Sequence, residues 1–166
     1  MTIIADATAL ILLAKVTVLE KFVNRNDVIT SKIVYEEVVI GKEKGRKDSI
    51  LVERLVQEDK LRLKIPNKTI KNKIEKFFSL KAGELEVVSL AYKTKHTILS
   101  DDKKCMNVAK ALGMYFITSL DVITAMYKKS VITKKKAMDC INEMEEYGWY
   151  SKDLIKHYKE VIKWWK

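Results

Sequence analysis

The residues of this chain best suited to chemistry are acids that follow short apolar runs. Asp6 comes directly after "TIIA", and Asp101 and Asp102 come directly after "TILS". Glu84 stands behind Gly83 in "KAGELEV", and Glu37 lies about two helical turns beyond "VITS". Each has an ordinary alternative. Asp6 suits an N-cap, whose oxygen accepts an orphan backbone N–H. Glu84 suits the first turn of a helix, where the dipole favours an acid and Gly83 lets the backbone turn tightly. Glu37, beside the equally charged Glu36, suits a solvated face. Their joint reading differs, because carboxylates gathered without His or Cys hold a hard divalent cation such as Mg²⁺ or Mn²⁺ through oxygen. Such an ion polarises a phosphoryl group and lowers the pKa of bound water.

For that reading to hold, the fold must bring distant acids together. Residues 2 to 5, 27 to 31, 61 to 65, 96 to 100 and 114 to 119 read as strands. Helical patterns fall at 8 to 23, 32 to 41, 47 to 59, 68 to 79, 83 to 94, 103 to 112 and 120 to 129. Strands alternating with helices predict parallel βαβ units and a three-layer α/β/α sandwich with a central parallel sheet of about five strands. In such a sheet ligands bind beyond the carboxyl ends of the strands, where Asp6, Asp101 and Asp102 would all lie. Gly113 and Gly148 mark helix C-termini, and Ser31 and Thr133 mark N-caps. Two more helices, about 134 to 147 and 152 to 165, follow without an intervening strand. The expected organisation is one α/β domain over 1 to 130, with a helical extension over 131 to 166 packed on it.

Composition narrows the partners. The chain has 166 residues and a net charge of +10, with an isoelectric point near 9.4. One core of ordinary size is expected, and a basic surface attracts polyanions and releases their counterions. No apolar run approaches the roughly 20 residues that span a bilayer, and no basic leader precedes the first strand, so a cytoplasmic protein without membrane contact is expected. Cys105 and Cys140 form no CxxC and read as reduced core residues. Only His96 and His157 are present, so a His-based metal site is not indicated. "GKEKGRKDS" lacks the phosphate-loop spacing and no GxGxxG occurs. A haloacid-dehalogenase-type site would need a second Asp where Thr8 stands, and a receiver domain would need its acidic pair near the first strand.

Taken together, "IIADATALILLAK", "TSKIVYEEV", "KAGELEVVSLA" and "TILSDDKKCMNVAKALG" resemble, in that order, the four acidic motifs of the PIN domain. This is the nuclease fold of many prokaryotic toxin-antitoxin ribonucleases of the VapC type. The resemblance covers residues 2 to about 130, and the tail is similar to a helical extension of one prokaryotic PIN subgroup. It implies a metal-dependent endoribonuclease using Mg²⁺ or Mn²⁺, the toxin of a type II pair. A small antitoxin and homodimers are implied as well. The alternatives are a PIN nuclease of RNA processing or of DNA, and a non-catalytic RNA- or protein-binding module.

The family's acids fall on Asp6, on Glu37 (six positions after Ser31), on Glu84, where Asp is commoner, and on Asp102, with Ser100 in a usual Thr position. The implied metal ligands are Asp6, Glu84, Asp101 and Asp102, and Cys105 stands where an aromatic is usual. Beyond the motifs, Lys134, Lys135 and Lys136 would open a helix whose dipole disfavours cations there, which suits a phosphate between them. Arg46 and Lys47 form a second basic candidate for RNA contact. In the last helix Leu154, Tyr158, Val161 and Trp165 read as a packing stripe, and Lys152, Lys156, Lys159 and Lys163 as a solvated or RNA-facing one.

Overall fold

The structure, a computed structural model, describes residues 2–40, 46–147 and 150–165. Gly148, expected to end a helix, and residues 41–45 ("GKEKG"), with Lys42 and Lys44, lie outside the described residues. The chain divides into two compact units, one up to Thr118 and one from Ser119 to the end.

The first unit is built on five strands: β1 (Thr2–Ala5), β2 (Asp27–Ser31), β3 (Leu61–Lys64), β4 (Thr97–Leu99) and β5 (Phe116–Ile117). All pairings are parallel and the order is β3-β2-β1-β4-β5. The central strands are buried on both faces, which is why "TIIA" and "TIL" read as continuous apolar runs rather than alternating ones. Between them run α1 (Ala7–Lys15), α2 (Leu19–Val23), α3 (Lys32–Val39), α4 (Lys47–Gln57), α5 (Lys68–Phe77), α6 (Ala82–Ala91) and α7 (Lys103–Ala111). The chain lays β2 and β3 on one side of β1 and then returns to lay β4 and β5 on the other. The strand order therefore reverses between β1 and β4, the position where an open α/β sheet leaves a crevice.

Local chemistry explains the helix borders. Ser31 caps α3 through Val34 N–H at 3.1 Å, and Gly113 leaves α7 with φ 64°. The segment expected as one helix over 8 to 23 is two, because Thr17 takes φ 61° and lets α2 turn away with Leu19, Phe22 and Val23 buried. Asp59, also left-handed, ends α4 in the same manner.

The second unit is three helices, α8 (Ser119–Lys128), α9 (Lys134–Glu146) and α10 (Lys152–Trp164), each packed on the other two. Thr133 caps α9 through Lys136 N–H at 3.1 Å, as its sequence suggested. The packing stripe of α10 is corrected: Ile155 and Ile162 are its buried residues, whereas Leu154 and Trp165 are exposed. Contact with both α8 and α9, and the Tyr158 hydroxyl reaching Asp121 Oδ1 at 2.5 Å, rotate the inner face onto the 155–158–162 arc.

Candidate active site

Asp6 ends β1 and begins α1. Its backbone N–H still bonds Leu99 O at 3.0 Å, so the β1–β4 ladder runs up to the acid. Its Oδ1 accepts from Ala9 N–H at 2.9 Å and from the Thr8 hydroxyl at 2.7 Å, and its Oδ2 accepts from the Ser100 hydroxyl. Asp6 is thus a helix cap and something more, since a cap needs only the first of these bonds. Burial pushes its pKa up to about 6 against the opposing pull of those hydrogen bonds, and the Asp101 charge adds to the rise.

Ser100 joins the two strand ends. Fully buried after β4, it donates to Asp6 and accepts the Asp102 N–H at 3.1 Å. Thr8 makes the reciprocal tie, its oxygen lying 3.4 Å from Asp101 N. Asp102 Oδ1 caps α7 through Cys105 N–H at 2.8 Å. The buried Cys105 thiol is pushed up to about 12 by burial and then by the charges of Asp6, Glu84 and Asp102. The charges of all three acids are therefore felt by one buried sulfur, although they come from the N-cap of α1, the first turn of α6 and the N-cap of α7.

Glu84 is buried in the first turn of α6, where its Oε2 accepts the Lys81 N–H at 3.1 Å and its Oε1 lies 3.9 Å from Lys81 Nζ. Glu37, though an exposed residue, folds its carboxylate onto the α6 start. Desolvation raises its pKa and Glu84 and Glu86 raise it further, while the Gly83 N–H opposes them. The reason for Gly83 differs from a tight turn: it is helical, and a Cβ there would stand 2.7 Å from Glu37 Oε2. Glu36 points elsewhere, to Lys32 at 3.7 Å. Glu86, buried one turn after Gly83 and paired with Lys71 at 3.0 Å, adds an acid that the apolar pattern of "ELEVV" concealed.

Asp6, Asp102 and Glu84 thus share one neighbourhood, Asp101 is electrostatically coupled to Asp6, and Glu37 is coupled to Glu84. Arg46 precedes α4 and Lys47 opens it, both exposed, while Lys134–136 open α9 in the second unit. Among the described residues no three His, Cys, Asp or Glu side chains converge tightly enough to cage a metal on protein atoms alone. An oxygen-only set still fits a hard divalent cation, since Mg²⁺ keeps several waters and is held by one or two carboxylates.

A family model described as a PIN domain matches residues 2–166. The chain belongs to the PIN-domain family. This PIN domain is also similar to endoribonuclease Nob1 of Pyrococcus abyssi, 36% identical over 87 residues, covering 48% of the chain and 54% of that protein. The chain thus spans about half the length of that curated relative. Among solved structures, a crystal structure of VapBC2 from Rickettsia felis bound to a promoter DNA fragment aligns with 71% of the chain and 98% of its own, at 13% identity and TM-score 0.49. The acids of this PIN domain sit where its strand order reverses. Among its described residues no helix is long and apolar enough to cross a membrane.

Proposed function

We propose that this PIN domain is a divalent-metal-dependent endoribonuclease. The observation that supports it most is the joining of Asp6, at the end of β1, to the Ser100–Asp102 turn at the end of β4. Membership of a nuclease family and similarity to an endoribonuclease point the same way. Asp6, Asp101, Asp102 and Glu84 would hold Mg²⁺ or Mn²⁺, with Glu37 completing the acidic wall through water. The bound ion supplies a lowered water pKa and a counter-charge for the phosphoryl oxygens. The protein's own groups do the rest. Thr8 and Ser100 lock both Asp6 oxygens in place, so little reorganisation accompanies binding. Glu37, with its raised pKa, is suited to accept a proton from an attacking water.

For the cellular setting we propose a cytoplasmic toxin, held as a homodimer and silenced by a small antitoxin, on the resemblance of the four acidic stretches. The test is RNA cleavage in Mg²⁺ or Mn²⁺ by the native chain and by Asp6→Asn. Loss of orders of magnitude with an unchanged fold is expected. Tight calorimetric Mn²⁺ binding that survives the double change Asp6→Asn, Asp102→Asn would overturn the site. Growth arrest on expression, relieved by a small neighbouring gene product, is expected of the toxin; cleavage without arrest points to a processing nuclease.

A further inference from the structure

The second unit carries an aromatic and cationic cluster that neither its packing nor the acidic site uses. Trp164 and Trp165, at the end of α10, are 73% and 46% exposed. A lysine covers each: Lys128 Nζ lies 4.1 Å from the Trp165 ring centroid, and Lys163 Nζ lies 5.2 Å from that of Trp164. The Lys134 ammonium donates to Lys163 O at 2.6 Å and the Tyr127 hydroxyl to Trp165 O at 3.4 Å. Tyr127 and Lys134 also wall an open cavity of about 280 Å³.

Charge selects the occupant. From Val122 to Met138 the chain has five lysines and no acid. Of the acids that flank that stretch, Asp121 takes the Tyr158 hydroxyl, Asp139 follows Met138 directly, and Glu145, further on, takes Lys159. Exposed indoles bordered by lysines give flat faces for bases and cations for the phosphates between them. A lipid surface would also accept tryptophan and lysine, but there the indole enters the headgroup layer and the ammonium withdraws from it. Here the ammonium groups lie over the rings.

We infer that the α10 end of this unit is a stacking platform for single-stranded nucleic acid, with bases on Trp164 and Trp165 and phosphates on Lys128 and Lys163. The choice of RNA as probe rests on the nuclease reading, but the platform is tested apart from cleavage. A fluorescently labelled single-stranded RNA oligonucleotide is titrated with the full chain in EDTA, and anisotropy and indole emission are followed. Native protein should bind with quenched emission. Trp164→Ala and Trp165→Ala should each weaken binding by on the order of tenfold without changing the salt slope, and Trp164→Phe should restore most of it. Lys128→Gln should instead make the slope of log affinity against log salt shallower by about 0.7. Should Trp165→Ala melt early, Trp164→Ala decides, because that side chain is the more exposed. Native affinity in Trp164→Ala overturns the platform, as does indole emission that shifts with phosphatidylserine vesicles and not with RNA. Failure of cleavage with the platform intact would count against the nuclease reading alone.

Discussion

Asp6 concentrates the electrostatics of this molecule in one side chain. Its folded pKa of about 6 exceeds its ordinary 3.8, so the folded state holds a proton that the unfolded chain has released over that interval. Stability from this group is therefore full below about pH 4 and is lost as pH rises through 6, amounting to ~3 kcal/mol by neutrality. In EDTA, thermal melting should show Asp6→Asn stabilised relative to native protein at pH 7.5 and nearly equal to it at pH 4. Mn²⁺ should reverse the ordering at pH 7.5, because the native carboxylate then gains a partner. A native chain that melts higher than Asp6→Asn at pH 7.5 in EDTA would contradict the assignment. The two thiols offer a simpler check. Burial pushes Cys105 to about 12 and Cys140 to about 11, so iodoacetamide should leave both unmodified in folded protein and modify both in urea, by intact mass.

At the scale of elements, α3 and α6 meet where Glu37 lies against Gly83. Gly83→Ala gains up to about 1 kcal/mol of helix propensity, yet its methyl group must displace the Glu37 carboxylate. The melting temperature should hold or rise while RNA cleavage falls, and Glu37→Gln should be impaired where Glu36→Gln is not. Equal cleavage by the two Gln variants would show that the register of α3 has been misjudged.

Much of this architecture was legible in the sequence, because buried parallel strands and capped helices leave strong local marks. "TIIAD" and "TILSDD" gave both the strands and the acids that end them. Other features depend on what packs from elsewhere in the chain. A non-glycine residue carries no mark of φ 61°, so the break at Thr17 was hidden. Gly83 looked like a turn residue because the approaching carboxylate comes from a helix more than forty positions away. Leu154 and Trp165 obeyed helical spacing, but which arc of an amphipathic helix is buried depends on its two neighbours. Ser100, the tie between strand ends, was visible only as a small polar residue in a motif.

Across the whole molecule, charge sets how strongly a polyanion is held and salt reports it. Lys134, Lys135 and Lys136 open α9 behind the Thr133 cap, and Lys134 is already engaged with Lys163 O. Changing all three to Gln should make the log affinity of uncleaved single-stranded RNA fall less steeply with log salt. The slope should be shallower by roughly 2 if each meets one phosphate, with Mn²⁺ affinity untouched. An unchanged slope would leave the three as solvated lysines.

The bond from Ser100 to Asp6 spans 94 positions of the chain. The strands that carry its partners are neighbours in space and distant in synthesis order, since β2 and β3 are made between them. A ribosome adding ~5–20 residues each second needs about 5–20 s to reach β4 after completing β1. Throughout that interval Asp6 lacks its partner Ser100, so the nascent chain can fold its first three strands while the proposed acidic site is still incomplete. If the proposed site is right, it is completed only when the last strands join the sheet, and a fragment that stops before Thr97 should bind metal poorly and cut nothing.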